Sequence, residues 1–418
     1  MRLKEMTKPI FIVSLVLLIA FESCDHDRPG PKPCGDGEIA AADATWSHGE
    51  GDLQNTQRAS KLRIKGCYKG PALTPSLQWD VELSGPGTAA APVIADDGTV
   101  YLMGEYPGQP KFGGLRDAGL FAINPDGSIK WYFSRPRQSS LIYQRSVALG
   151  NDGTVYFVMW DSTFYALDPN GNIKWSRRGI FTADPIIDNL GRIYTASDTV
   201  FCFNSDGSVA WTFSNDAPIE YGVRLVPGHT LIFCGFYLNG IVALDYNGHK
   251  KWFYQTRLDN IIHFTILVDQ KDNTYFKCDN VTLRSVNSLG SLRWSLLATN
   301  TISEPVLRGN FLYFGNAFIY QVSLDSGEAD SIAALDPTHF IDPWSSLLID
   351  DAGTIYGSVG KYLYAFNNNH DRLWRLVLPE LFPVSFRGYP ALSREGRLYL
   401  TSYNYIDESQ TNHLYAIE

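Results

Sequence analysis

Apolar and polar residues alternate in short runs along most of the chain, and the runs recur with a period of roughly forty residues. One unit, residues 152–175 (DGTVYFVMWDSTFYALDPNGNIKW), holds two alternating runs, a Pro-Asn-Gly turn and a short run that ends on Trp175. Runs of Val, Tyr, Phe and Leu with a period of two, bounded by Gly, Asp and Asn, predict β-strands. A fixed period of this length predicts a repeat architecture.

Tryptophans close the repeats at positions 79, 131, 175, 211, 252, 294 and 374, and the last gap is long enough for two repeats with one Trp lost near Ala334. The second-strand motif (TVYLM to RLYLT) and the third-strand motif (LFAIN to LYAIE) each occur eight times. The sequence therefore predicts an all-β fold, an eight-bladed β-propeller of four-stranded antiparallel blades, in which radial packing buries both faces of each sheet. Because the chain ends at LYAIE without a fourth strand, we expect residues 76–79 to supply that strand and to close the ring.

The N-terminal segment has a different pattern. Arg2, Lys4 and Lys8 precede an apolar run over residues 10–21, which is typical of an export signal and too short for a membrane span. Ser23-Cys24 resembles the bacterial lipoprotein box, although Phe21 and Glu22 depart from its usual residues. We therefore predict a lipoprotein signal peptide over residues 1–23 and a lipid on Cys24; plain secretion with cleavage nearby is the alternative.

The remaining chain divides into a Pro/Gly-rich flexible tether and lead-in over residues 24–70 and the propeller over residues 71–418. The lipoprotein signal implies a bacterial cell envelope protein, an outer-membrane lipoprotein, with exposure at the cell surface as a further option. The net charge of −9 and the pI near 5.4 argue against nucleic acid as a partner.

The repeat "GTVY…YALDP-G-IKW", with its lead-in over residues 46–58 (WSHGEGDLQNTQR), is similar to the tryptophan-docking repeat of propellers of the pyrroloquinoline-quinone (PQQ) type. The resemblance covers residues 46–418 and implies the propeller fold. One branch of these proteins contains quinoprotein dehydrogenases; another contains cofactor-free relatives such as the outer-membrane assembly lipoprotein. Many of the dehydrogenases carry two adjacent cysteines beside the quinone, and no two cysteines are neighbours here. We therefore favour the cofactor-free branch, with no cofactor, no metal and no catalytic residue assigned.

The recurrent tryptophans, with Trp131, Trp175 and Trp211 as examples, could form an aromatic ligand platform. Their fixed place in every repeat indicates packing between blades instead, since a buried indole covers about 150–250 Å².

Candidate binding residues lie where loops are expected to surround the central funnel. Alignment of the repeats on the second-strand Tyr gives one residue per repeat at the funnel entrance, with Arg135 among the flanking residues: Arg145, Asp184, Tyr221, His263, Glu304, Trp344 and Arg387. Two long connections, residues 105–119 and 404–413, are expected on the same face, and long loops tend to carry function.

These features predict a non-enzymatic, membrane-tethered binding or scaffold lipoprotein whose loop-rich face binds an envelope protein or peptide. A surface protein that binds or cleaves polysaccharide is the alternative, since aromatic and carboxylate residues at the rim suit sugars. A PQQ-dependent dehydrogenase is the third and least favoured hypothesis.

Overall fold

The computed structural model describes residues 69–71, 73–83, 91–106, 118–135, 146–159, 161–188, 190–214, 223–225, 232–236, 240–256, 262–269, 271–278, 282–297, 303–315, 318–335, 347–350, 352–379, 390–393, 395–402 and 412–418. All of them belong to one compact unit, Pro31–Glu418. The signal peptide, Cys24 and nearly all of the tether lie outside these residues, so the boundaries at 23 and 70 stay predictions. In the part of the chain that is described, no helix is long and apolar enough to cross a membrane.

The described elements are short β-strands, as the period-two pattern predicts. In chain order they are β1 (Leu77–Leu83), β2 (Val93–Ile94), β3 (Val100–Glu105), β4 (Ala118–Ile123), β5 (Ile129–Arg135), β6 (Ala148–Leu149), β7 (Val155–Met159), β8 (Thr163–Leu167), β9 (Ile173–Arg178), β10 (Ile186–Ile187), β11 (Ile193–Ala196), β12 (Thr199–Phe203), β13 (Val209–Ser214), β14 (Val223–Leu225), β15 (Ile232–Phe236), β16 (Gly240–Leu244), β17 (Lys250–Gln255), β18 (Ile262–Val268), β19 (Thr274–Cys278), β20 (Thr282–Val286), β21 (Leu292–Leu297), β22 (Val306–Arg308), β23 (Phe311–Gly315), β24 (Phe318–Ser323), β25 (Ala329–Ala334), β26 (Leu348–Ile349), β27 (Ile355–Val359), β28 (Tyr362–Phe366), β29 (Arg372–Val377), β30 (Ala391–Leu392), β31 (Leu398–Thr401) and β32 (Asn412–Ile417).

These strands form an all-β propeller of four-stranded antiparallel sheets. Seven sheets each consist of four consecutive strands: β2–β5 is blade 1, β6–β9 blade 2, β10–β13 blade 3, β14–β17 blade 4, β18–β21 blade 5, β22–β25 blade 6 and β26–β29 blade 7. The predicted count of eight blades is therefore corrected to seven, because only these seven are complete units of consecutive strands. The four remaining strands form a composite sheet in the order β1-β32-β31-β30, which we term the closing sheet.

The first strands of neighbouring sheets contact one another, for example β6 with β10 and β2 with β30, so they surround the central axis. Second strands such as β7 are buried along their length, because both of their faces pack on neighbouring blades, and in β23 only the first residue, Phe311, is exposed. The fourth strands form the outer edges and are largely exposed, as in β9.

The two ends of the blades differ in their connections. We call the end with the first-to-second and third-to-fourth strand turns the turn face. We call the opposite end the loop face; it carries the second-to-third strand connections and the links between blades.

The tryptophans Trp131, Trp175 and Trp211 join successive blades at the turn face. Each Nε1–H donates to a carbonyl in the third-to-fourth strand turn of the next blade: Trp131 to Pro169 (2.9 Å), Trp175 to Ser205 (2.8 Å) and Trp211 to Tyr246 (2.9 Å). Each indole also packs on the glycine of the same turn. At Gly207, for example, φ is 80° and an added Cβ would lie 2.7 Å from the ring of Trp175. A residue with a side chain would be strained by that φ and would push the indole away.

The closing sheet joins the two ends of the chain. Strand β1 pairs with β32, so the outer strand is supplied by the N-terminal segment, as the missing fourth strand predicts, and it extends well beyond residue 79. No turn links β32 to β1, and the lead-in takes the place of that turn. The carbonyl of Pro71 accepts the Nε1–H of Trp374 at 2.8 Å, and the buried Asp350 carboxylate accepts the backbone N–H of Gly70 at 3.1 Å.

The seam between blade 6 and blade 7 lacks the tryptophan. The pairing Tyr313↔Gln321↔Asp330 corresponds to Tyr156↔Ala166↔Trp175 in blade 2, so the lost Trp position is Asp330 and not the neighbourhood of Ala334. The turn glycine is lost with it: His370 holds the left-handed position, with φ of 68°, in the corresponding turn of blade 7. Without an indole to accommodate, that position no longer requires glycine.

Candidate functional site

The loop face differs from the turn face in the length of its connections. In all seven blades five residues separate the third strand from the fourth, for example residues 124–128 and 168–172. The second-to-third strand connections instead range from residues 197–198 in blade 3 to residues 106–117 in blade 1. The long connections predicted in the first and last repeats are thus residues 106–117 and 402–411 between strands. Variable length is typical of segments that carry function and not the fold.

Of the seven residues predicted at the funnel entrance, four lie outside the described residues and keep the status of predictions: Arg145, Tyr221, Trp344 and Arg387. Asp184 and Glu304 are described with their side chains, and His263 is described as a backbone position in β18.

The strand register shows that these three residues are not structurally equivalent. Asp184 and Glu304 each lie two residues before the first-strand residue that pairs with the second-strand Tyr, in Ile186↔Tyr194 and Val306↔Tyr313. In blade 5 the pair is Leu267↔Tyr275, so His263 lies four residues before it, and the register is irregular between His263 and Ile266. A bulge inserts residues without changing the motif, and alignment of motifs cannot detect it.

Asp184 connects two neighbouring blades. Its Oδ1 accepts the backbone N–H of Ser146 at 3.1 Å, and Ser146 holds the corresponding place before the first strand of blade 2. The half-buried Asp184 therefore ties the segment that enters blade 3 to the segment that enters blade 2.

Glu304 forms a buried ion pair across the seam between blades 5 and 6. Lys277 Nζ lies 2.5 Å from Glu304 Oε1, and the side chains are 0% and 1% exposed. Lys277 is the second residue after the second-strand Tyr, and the corresponding residues of four other blades and the closing sheet carry no charge: Met103, Val158, Ala196, Ser358 and Thr401. Within the described residues Glu304 Oε2 is buried and has no hydrogen-bond partner. Burying two charges costs free energy that their attraction recovers only in good geometry, so the pair imposes one arrangement on this seam.

A third arrangement lies at the loop-face end of the seam between blades 1 and 2. The guanidinium carbon of Arg135 is 4.4 Å from the ring centroid of Phe133 and 5.8 Å from that of Tyr165 in blade 2. The Tyr165 hydroxyl donates to Asp161 Oδ2 at 2.7 Å. Burial raises the pKa of Tyr165, and its hydrogen bond to Asp161 adds to the shift. The sequence points to Arg135 only as a flanking residue; Tyr165 and Asp161 are hidden because they occupy ordinary strand and hairpin positions.

The described residues contain no group of three or more His, Cys, Asp or Glu side chains that could hold a metal ion. Neighbouring cysteines of the kind expected beside a quinone are absent from the sequence as well.

Neither a family model nor a curated protein matches the sequence. Among solved structures, the chain is similar to the quinohemoprotein alcohol dehydrogenase ADHIIG from Pseudomonas putida HK5, with a TM-score of 0.65 and 12% identity over 90% of this chain and 80% of that chain. It is similar to a europium-containing methanol dehydrogenase, with a TM-score of 0.63 and 12% identity over 90% and 98% of the two chains. BamB from Moraxella catarrhalis matches with a TM-score of 0.42 and 11% identity over 82% and 99%.

These comparisons support the predicted resemblance at the level of the fold. At 12% identity the two dehydrogenases show that the chain shares their β-propeller architecture and nothing about its activity. The likeness to BamB is too low to carry an argument.

Proposed function

We propose that the protein is a membrane-tethered binding protein whose loop face holds a segment of another envelope protein. The observation that carries the proposal is the contrast in connections. All seven third-to-fourth strand turns have one length, whereas the loop face carries every long connection between the described strands. Binding residues are concentrated on loops that a rigid scaffold positions.

The described contacts supply such a scaffold. Tryptophan docking fixes successive blades at the turn face, and the Asp184 and Glu304 contacts fix seams close to the loop face. A partner that binds to loops on a fixed frame pays a smaller ordering cost than one that binds to a mobile surface.

The tether completes the proposal. A lipid on Cys24 would hold the propeller at the membrane through residues 25–68, and the partner would then be another protein of the same envelope. The cofactor-free, non-enzymatic assignment belongs to this proposal, as does the outer-membrane location.

The experiment compares two sets of substitutions in the full-length lipidated protein. The loop-face set is Arg145→Ala, Trp344→Ala and Arg387→Ala. The control set is Leu190→Ala and Leu289→Ala, two turn-face leucines that are 65% and 77% exposed and would be the natural contacts if the turn face bound the partner. Thermal melts establish that both variants are folded.

Each protein is used to capture partners from detergent-solubilised envelopes, and the captured protein is purified for a direct measurement of Kd. We expect the native protein and the control set to bind equally, and the loop-face set to bind at least about 10-fold more weakly, a difference of about 1.4 kcal/mol. Loss of binding in the control set, or equal binding by all three proteins, would reject the loop face as the binding surface.

A further inference from the structure

Arg135 is the last residue of β5, at the loop-face end of the seam between blades 1 and 2. Its guanidinium group lies against Phe133 of its own blade and near Tyr165 of the next, and its Nη1 donates to the carbonyl of Ser134 at 3.0 Å. The side chain is half-buried, so part of its surface remains open to a ligand. Because stacking already restricts this arginine, it loses little further conformational entropy when it binds.

A second arginine lies on the same sheet face. Arg178 pairs with Thr163 in the register of β8 and β9, and Ser176 pairs with Tyr165. Residues two apart on a strand share a face, and diagonal neighbours lie about 7–8 Å apart. Arg178 is therefore placed beside Tyr165 on the face of blade 2 that meets blade 1, and its side chain is exposed.

Neither arginine has a carboxylate partner within the described residues. The turn-face lysines of the same two blades do: Lys130 lies 3.2 Å from Asp97, and Lys174 lies 2.8 Å from Asp152. Two acidic residues are described at this end of the seam. Asp161 accepts the hydrogen bond of the Tyr165 hydroxyl, and Glu105, which the register of β3, β4 and β5 places in line with Arg135, is buried. Neither of these two described carboxylates forms an ion pair with Arg135 or Arg178.

Asp161 is occupied by the Tyr165 hydroxyl and Glu105 is 4% exposed, so the two guanidinium groups are the charges that this corner offers to a ligand, on a chain whose net charge is −9. Ile180 lies two residues after Arg178 and is 73% exposed, so an apolar side chain is available close to Arg178 in the chain. Arginine together with aromatic and apolar surface is the composition typical of binding hot spots.

We propose that this corner, defined by Arg135, Arg178 and Ile180, binds a carboxylate of an acidic polypeptide segment. The proposal rests on the proposed function and assigns the chemistry of the partner at one place on the loop face. Arg135 binds the carboxylate through its planar donor fork, a geometry that suits paired N–H···O bonds. Arg178 adds a second positive charge, and Ile180 packs against an apolar side chain of the same segment.

The test measures binding of labelled, end-blocked peptides to the full-length protein by fluorescence anisotropy. The probe is a short peptide of alternating Glu and Ala, compared with Gln/Ala and Lys/Ala peptides of the same length. The variant is Arg135→Ala with Arg178→Ala. The matched control is Arg372→Ala with Arg375→Ala, which removes the same charge from blade 7, including an arginine stacked 4.8 Å from the ring centroid of Tyr362.

We expect the native protein and the blade 7 control to bind the Glu/Ala peptide equally, and the Arg135/Arg178 variant to bind it at least about 10-fold more weakly. Salt at about 0.5 M should weaken native binding, because the contact is partly exposed to solvent. Absence of binding to the native protein, or an equal loss in the blade 7 control, would overturn the proposal.

Two further arms identify the source of the anion. If polygalacturonate or vesicles with an anionic lipid bind through Arg135 and Arg178 while the Glu/Ala peptide does not, the polypeptide assignment is rejected. Capture from envelopes separates this proposal from the proposed function. A partner that the Arg135/Arg178 variant retains and the loop-face set loses would reject the arginine corner alone.

Discussion

The contacts between neighbouring blades repeat at the turn face and differ from seam to seam near the loop face. At the turn face one contact recurs from blade 1 to blade 4: an indole packs on the turn glycine of the next blade and donates to a carbonyl two residues before it, as Trp175 does with Gly207 and Ser205. Near the loop face the described seams differ. One has a stacked arginine, Arg135, another the hydrogen bond between Asp184 and Ser146, and a third a buried ion pair.

This contrast indicates where the repeat is constrained. A sheet that packs radially needs the same spacing to each neighbour, and a shared docking contact provides it. Once that contact is in place, the other end of the blade is free to vary. The seam between blades 6 and 7 supports this account, because blade 6 has no tryptophan there and the turn of blade 7 that would receive it has no glycine.

The largest effect is expected for Lys277→Met, on the loop-face side of the comparison. The substitution leaves the Glu304 carboxylate buried without its cation, and removal of one partner from a buried ion pair typically costs roughly 3–5 kcal/mol. The double variant Lys277→Met/Glu304→Leu should be more stable than either single variant. Urea unfolding of the three proteins measures this coupling, and a double variant whose loss equals the sum of the single losses would show that the pair acts independently.

The next effect concerns tryptophan docking. Trp175→Ala should lower the free energy of unfolding by about 3 kcal/mol, because it removes the indole from the seam between blades 2 and 3. Trp175→Phe keeps a ring and loses the donor to Ser205, so about 1 kcal/mol is expected. An unchanged unfolding midpoint for the alanine variant would remove the docking account.

Two substitutions at equivalent turn positions, one with an indole against it and one without, test whether the indole selects the glycine. Gly207→Ala should cost about 2 kcal/mol, because alanine is strained at a φ of 80° and its Cβ would press on Trp175. His370→Gly, at the corresponding position without an indole, should change stability by less than about 1 kcal/mol. Equal costs in chemical denaturation would mean that the indole does not select the glycine.

The smallest effect is a pH dependence at the junction of the lead-in. Burial raises the pKa of the Asp350 carboxyl, although hydrogen bonds from Thr354, Gly70 and Tyr356 oppose the shift. The folded state therefore binds the proton more tightly than the unfolded state, and this group adds stability as the pH falls through its folded pKa towards its ordinary value. Compared with Asp350→Asn, the native protein should gain unfolding free energy between pH 7 and pH 4. A constant difference between the two proteins would contradict this assignment.

Much of the fold can be predicted from the sequence, because each repeat is specified by patterns of residues that are close together in the chain. Alternation predicts the strands, Gly, Asp and Asn mark where the runs end, and the missing fourth strand after LYAIE predicts closure by an N-terminal strand, which is β1. The replacement of the last turn by Gly70 and Pro71 is not predictable in this way. It depends on a contact between residues some 300 positions apart, and no local pattern marks it.

The contacts near the loop face are harder to predict from the sequence, because they depend on strand register and on side chains that meet from different blades. A bulge before Ile266 shifts His263 relative to Asp184 and Glu304, and the shared motif does not record it. Lys277 interrupts an apolar strand in the sequence, and this signal could have identified a partner for Glu304. Tyr165 and Asp161 give no such signal, since a Tyr in a strand and an Asp in a hairpin are common.

The central claim, that the loop face and not the turn face meets the partner, can be tested with two positions that flank one strand. Asp198 precedes β12 at the loop face, Ser205 follows it at the turn face, and both are exposed. A photo-crosslinking amino acid is placed at each position in turn in the full-length protein in living cells, and the adducts are compared after irradiation. The account predicts a discrete protein adduct from position 198 and none from position 205. An adduct from position 205 alone, or the same adduct from both positions, would contradict it.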